Sequence, residues 1–246
     1  MTKAATDRAP RRPETALDRL IVALDFPDGT TALEMVDRLG DAVRWYKVGM
    51  ELFYAEGPAF LGALRERRKR IFLDLKLHDI PNTMASAVRS LAAHGVDLTT
   101  VHVPAGIAAL EAVSAAAEER RRAGGAAPLL IGVTRLTSLA PPNPERPWDD
   151  VVALAGDAVR AGLDGWVAPV DAAAPLRSAH GPKPVLVCPG IRLPEGEKGD
   201  QVAVGTPEAA VAGGADWIVV GRPITRAEDP AQVARTMVER MNGTER

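Results

Sequence analysis

The sequence predicts an α/β protein made of a single (β/α)8 TIM barrel, and three observations lead to it. Short apolar runs of strand type alternate with longer amphipathic stretches, the rhythm of βα units and a parallel sheet. Eight such runs occur, at residues 20–24, 45–50, 71–77, 98–103, 129–134, 165–170, 185–189 and 217–221. The chain has 246 residues and no linker-like break in composition, close to the roughly 250 residues typical of such a barrel. An open doubly wound sheet would need a Gly-x-Gly-x-x-Gly turn after its first strand, and none follows it here.

In chain order, residues 1–18 are rich in Arg, Pro, Ala and Thr and have no apolar h-region. They read as a disordered tail rather than a signal peptide, with the barrel domain over 19–246. The first strand closes on Asp25, and Phe26-Pro27-Asp28-Gly29 turns the chain. Lys47 stands in the second. The third lies within Ile71-Phe-Leu-Asp-Leu-Lys-Leu-His-Asp-Ile-Pro-Asn-Thr83: it carries Asp74 and Lys76, and Asp79 sits past its end, before the Pro81-Asn82 turn. His102 belongs to the fourth, and an alanine-rich helix is predicted over 105–122. Residues 135–147 hold Thr137-Ser138 and then Pro141, Pro142, Pro144 and Pro147, a long stiffened connection. The polar run 191–201 after the seventh strand has the composition of a mobile lid. Thr206 caps a helix with Pro207 at its first position, Gly221-Arg222-Pro223-Ile224-Thr225 follows the eighth strand, and a last helix covers 230–241.

Strand side chains alternate, so Asp74 and Lys76 face the same way. With Asp79, two carboxylates flank one ammonium. Such a cluster is costly to desolvate, and an adjacent anion favours the charged lysine, which suits a proton donor beside developing negative charge. A salt bridge at a barrel mouth would explain the same spacing. Reactive groups of a barrel, however, gather at the C-terminal ends of its strands, and Asp25, Lys47, Asp74, Lys76, Asp79 and His102 recur there. Singly, Asp25 is accounted for as a turn residue, Lys47 as a snorkelling chain and His102 as a core histidine; together they converge on one rim. Gly221 permits close backbone approach, Arg222 offers paired donors to a phosphate, and Pro223 opens a short helix. With Arg192 on the neighbouring loop, a phosphorylated substrate is favoured over a surface arginine.

A net charge of -2 and an isoelectric point near 6.1 argue against nucleic-acid or anionic-membrane partners. The basic runs Arg65-Glu-Arg-Arg-Lys-Arg70 and Glu118-Glu-Arg-Arg-Arg122 lie at predicted helix ends and read as solvated surface. The single cysteine, Cys188, gives no internal disulfide and no metal cluster, and reads as a buried packing residue. No stretch is long and apolar enough to span a membrane, which makes the cytoplasm the default location.

The run Asp74-Leu-Lys-Leu-His-Asp-Ile-Pro-Asn-Thr83 resembles the signature of the orotidine 5'-phosphate decarboxylase family, in its common bacterial branch. Val22-Ala-Leu-Asp25, Tyr46-Lys-Val-Gly49, Leu136-Thr-Ser138, Pro189-Gly-Ile-Arg192, Gly199-Asp-Gln201 and Val220-Gly-Arg-Pro-Ile-Thr225 resemble its remaining blocks in the same order. The resemblance implies decarboxylation of orotidine 5'-phosphate (OMP) to UMP without cofactor or metal, the last step of de novo pyrimidine biosynthesis. Lys76 would be the proton donor, with Asp74 and Asp79 beside the scissile carboxylate. Asp79 and Thr83 would cross a homodimer interface into the partner's site. Asp25 and Lys47 would contact the ribose hydroxyls, Thr137 and Ser138 the pyrimidine, and Arg192, Gln201, Gly221 and Arg222 the 5'-phosphate. The chain departs from the family pattern at Val103-Pro104-Ala-Gly106 after His102, at Ala203 where an arginine is usual, and at Ala168-Pro169-Val170.

Two other readings of the residues stay open. A magnesium-dependent sugar-phosphate decarboxylase or aldolase would share the Asp-x-Lys-x-x-Asp element, though not its extension through Pro81-Asn82-Thr83. A silent nucleotide-binding protein would have no need of an intact Asp74, Lys76 and Asp79.

Overall fold

The computed structural model describes residues 12–136, 139–193 and 205–243. Its strands are β1 (Leu20–Leu24), β2 (Trp45–Gly49), β3 (Arg70–Leu77), β4 (Leu98–His102), β5 (Leu129–Val133), β6 (Gly165–Val167), β7 (Val185–Pro189) and β8 (Trp217–Val220). Each pairs in parallel with the next, and β8 returns to β1 through Leu20 opposite Ile218 and Val22 opposite Val220, which closes the barrel. The helices are α1 (Ala16–Arg19), α2 (Gly29–Leu39), α3 (Met50–Glu56), α4 (Pro58–Glu66), α5 (Pro81–Ala93), α6 (Ile107–Arg122), α7 (Asp149–Arg160), α8 (Val170–His180), α9 (Pro207–Ala212), α10 (Arg222–Thr225) and α11 (Pro230–Asn242).

The apolar runs read as strands because both of their faces are buried. In β1, Ile21 and Ala23 point into the barrel, where they join Trp45, Phe72, Leu98, Ile131, Val187 and Trp217. Leu20, Val22 and Leu24 point outward into the layer shared with the helices. Trp45 and Trp217, the first residues of β2 and β8, meet edge to face at 5.5 Å and fill the N-terminal end of the interior. Helix starts follow local chemistry: Thr15, Asp28, Thr206 and Asp229 each accept a hydrogen bond from the amide three residues on.

Proline moves two of the expected boundaries. Pro104 opens a short 3-10 turn, Val103–Ala105, so the helix predicted from 105 begins at Ile107. Pro169 has no amide hydrogen for a ladder; it caps α8, and β6 stops at Val167 rather than 170. Residues 12–18, on the tail side of the expected boundary, are among those described. α1 begins at Ala16, and the Arg12 guanidinium donates to the carbonyls of Pro182, Lys183 and Pro184 at 2.5, 2.7 and 3.0 Å.

The N-terminal face of the barrel carries a repeat. Gly95-Val-Asp97, Gly162-Leu-Asp164 and Gly214-Ala-Asp216 precede β4, β6 and β8, each glycine with φ between 68 and 85°. Each aspartate exchanges two bonds with the preceding strand. Asp97 accepts the Ile71 amide at 2.8 Å and donates its own to the Ile71 carbonyl at 2.9 Å. Asp164 does the same with Leu130 at 2.8 and 3.0 Å, and Asp216 with Leu186 at 2.8 and 2.8 Å. Each also takes a guanidinium, from Arg70, Arg121 and Arg177 respectively. The basic runs are therefore more than solvated surface: Arg70 and Arg121 tie strand starts together, and Lys69 donates to the carbonyls of Gly40 and Val43.

Candidate active site

The opposite, C-terminal face opens into a cavity of about 280 Å³. Four charged side chains from three adjacent strands enter it in alternating sign. Lys47 on β2 donates to Asp25, just past β1, at 2.9 Å and lies 3.9 Å from Asp74 on β3. Lys76 donates to both oxygens of Asp74 at 3.0 Å. Asp74 and Lys47 are nearly buried, with 13% and 14% of their side chains exposed, so water screens the middle of this row weakly, while Asp25 at its end is 60% exposed.

Lys76 and Asp74 face the same way, as alternation predicts, but regular alternation is not what holds them. The β3–β4 register shifts between Leu73 and Leu77, and Lys76 adopts φ +51°. That conformation costs a non-glycine residue about 1 kcal/mol and persists where surrounding contacts over-determine it. Here the contact is Thr100, buried on β4. Its hydroxyl accepts the Lys76 amide at 2.9 Å and donates to Asp74 at 2.9 Å, fixing backbone and carboxylate together. Gly49 is a second partner that sequence reasoning passed over: a Cβ there would stand 3.1 Å from the Lys47 ammonium and 3.4 Å from Asp25.

The far side of the cavity has a different character. Arg192, which is buried, and Gly221, Arg222 and Pro223 border it after β7 and β8. α10 begins at Arg222, as the Gly-Arg-Pro run predicts. Val133 and Val167, with Leu136 from the loop after β5, form an apolar wall. His102, at the end of β4, is half buried and stacks obliquely on His78 with ring centres 5.2 Å apart. Burial, then the neighbouring His78 and Lys76, hold its pKa below the ordinary imidazole value against the opposing pull of Asp74. Cys188 is buried in β7, and desolvation pushes its thiol up to about 12, the property of a packing residue.

This constellation can meet a charge developing in the cavity with a fixed cation and can hold an anion at the β7–β8 end. The profile of the orotidine 5'-phosphate decarboxylase / HUMPS family matches residues 18–237. The chain belongs to that family. A curated protein of Nostoc sp. named orotidine 5'-phosphate decarboxylase is 46% identical over 221 residues, 87% of this chain and 92% of its relative. One of the same name from Moorella thermoacetica is 44% identical over 230 residues, 90% and 91% of the two chains. Among solved structures, orotidine 5'-phosphate decarboxylase from Lactobacillus acidophilus superposes with a TM-score of 0.79 at 35% identity, covering 91% of this chain and 98% of that one.

Of the residues that carry the likeness to the orotidine 5'-phosphate decarboxylase / HUMPS family, Asp25, Lys47, Asp74, Lys76, Arg192, Gly221 and Arg222 border the one cavity. Asp79 and Thr83 do not. The expectation that two carboxylates flank Lys76 is met by Asp74 alone within one chain. β3 ends at Leu77, and Asp79 is exposed beyond it, accepting the amide of Ile80 at 2.6 Å. Thr83 is exposed in the first turn of α5. Thr137, Ser138, Gln201 and Ala203 lie outside the described residues, as does most of the expected lid.

Proposed function

We propose that this chain is a cofactor-independent orotidine 5'-phosphate decarboxylase that converts OMP to UMP and CO2, with Lys76 as proton donor. The alternating row Asp25, Lys47, Asp74 and Lys76 at the barrel mouth carries this reading. When the bond between C6 and the carboxylate breaks, both electrons stay on C6, in the plane of the pyrimidine, where the π system cannot spread them. A fixed positive charge beside C6 must offset them. The Lys76 ammonium, held by both oxygens of Asp74, supplies that charge and then its proton. CO2 leaves, UMP forms, and the lysine recovers a proton from solvent. Departure of the substrate carboxylate also relieves its repulsion by Asp74.

The other roles follow the division of the cavity. Arg192, Gly221 and Arg222, with Gln201, hold the 5'-phosphate; Asp25 and Lys47 contact the ribose hydroxyls; Thr137 and Ser138 face the pyrimidine. Binding energy from the phosphate, remote from C6, organises the charged row. Asp79 and Thr83 serve the site of a second copy in a homodimer. Their exposure, beside an Ile80 that is 67% exposed, supports a segment completed by another chain. Among the described residues no helix is long and apolar enough to cross a membrane, in keeping with a cytoplasmic biosynthetic enzyme.

The deciding experiment follows the ultraviolet loss of OMP with purified protein, with and without chelator, beside Lys76→Ala. Chelator-resistant conversion to UMP that falls more than about a thousandfold in the variant supports the assignment. Chelator-sensitive activity, or none from well-folded wild type, refutes it.

A further inference from the structure

The wall of the cavity opposite the charged row is held by a contact outside the machinery described above. β5 stands four strands from β1 in the closed ring, so the residues after it face Asp25 and Lys47 across the mouth. Charged groups of β1 to β3 occupy one side and Arg192 and Arg222 the β7–β8 end. Val133, Leu136 and Val167 give the side towards β5 and β6 an apolar surface against which a flat base can rest. The loop that carries Leu136 runs on to α7 and includes four prolines.

One guanidinium ties the two ends of that loop. Arg135 donates from Nη1 to Asp150, on α7, at 2.6 Å and from Nη2 to the Pro147 carbonyl at 3.0 Å. Its planar head also lies over the Trp148 ring, 5.3 Å from the centroid. Arg135 itself borders the cavity with only 11% of its side chain exposed, whereas Asp150 does not border it. Stacking and a two-pronged fork in one place are suited to fixing geometry, and a lysine cannot reproduce them.

We propose that Arg135 is a positioning residue for base recognition, holding the start of the β5–α7 loop against its end so that Leu136 forms the base-side wall. The inference rests on the nucleotide reading above and adds the part of the substrate this loop selects. It predicts a loss confined to ligands that contain the base.

The test uses full-length wild type, Asp150→Asn and Arg135→Lys, with calorimetric titration of UMP and of ribose 5-phosphate and a melting curve for each protein. Both variants are expected to bind UMP about tenfold more weakly, equivalent to ~1.4 kcal/mol. Ribose 5-phosphate should bind within about twofold of wild type, since the phosphate end is untouched. A general weakening of the fold would lower both affinities together. Arg135→Lys keeps charge and stem, so it covers the case in which Asp150→Asn folds poorly. Unchanged UMP affinity in both variants, or equal loss for both ligands, overturns the assignment. A wild type that fails to bind UMP overturns the function on which it rests as well.

Discussion

Thr100 on β4 donates its hydroxyl to Asp74 on β3 across 2.9 Å, and the same oxygen accepts the Lys76 amide. The isosteric Thr100→Val removes the donor and leaves the amide of a strained residue without a partner. A lost hydrogen bond to a charged group is worth about 1.5–3 kcal/mol, so kcat/KM should fall about 10- to 100-fold. Thr100→Ser should recover most of it. Steady-state decarboxylation kinetics check both; activity in the valine variant equal to wild type would mean that Asp74 needs no such tether.

Gly49 has φ -90°, a conformation alanine adopts without strain, so Gly49→Ala is a purely steric probe. The new methyl would crowd the Lys47 ammonium at 3.1 Å and move it off Asp25. KM should rise about three- to tenfold with little change in melting temperature. An unchanged KM would remove Lys47 from ribose binding.

On the other face, Asp97→Ala leaves the Ile71 amide and Arg70 without their acceptor. The expected cost is about 2–4 kcal/mol of unfolding free energy, read from urea denaturation. Because the geometry recurs at Asp164 and Asp216, alanine there should give losses of the same order, while activity below the melting transition is retained. A cost under about 0.5 kcal/mol at all three would place the repeat among dispensable surface contacts.

His102 links stability to pH. Its folded-state pKa is depressed, first by burial and then by His78 and Lys76, while the unfolded chain protonates it near the ordinary value of about 6.5. Below that value the unfolded state binds the proton first, so stability is lost as pH falls from about 6.5 towards the folded pKa. His102→Gln should flatten this part of the profile in melting curves recorded between about pH 5 and 7.5. A wild-type slope that survives the substitution would assign it elsewhere.

The strands were legible because a parallel sheet covered on both faces needs unbroken apolar runs, and Asp74 and Lys76 were legible as charges interrupting one. Thr100 escaped notice because threonine is an ordinary strand residue and only its position opposite Asp74 makes it special. The Gly-x-Asp repeat is written in the sequence, but three short matches at unequal spacing acquire meaning only when each falls before an even-numbered strand. The basic runs misled in the opposite way: side chains of the surface type reach inward to bind carbonyls and carboxylates. Spacing alone puts Asp79 beside its own Lys76; the family resemblance alone points it away, and within the chain it accepts the amide of Ile80.

The aspartate staples also bear on how the chain reaches its shape. Each joins residues only 26, 34 or 30 positions apart, so β3 with β4, β5 with β6, and β7 with β8 can lock as they are produced. The seam between β1 and β8 has no such short-range help, since Leu20 must find Ile218 across nearly the whole polypeptide. Loop-closure entropy makes that pairing the slow one. Amides bonded across the β1–β8 seam, unlike those between β1 and β2, are thus expected to gain protection last in pulse-labelled hydrogen exchange during refolding. Since Arg222 closely follows β8 while Asp25, Lys47 and Asp74 stand on or just past the locally paired β1–β3, the Arg222 end of the cavity would meet the charged row only in the closing event, and partly folded chains would be inert.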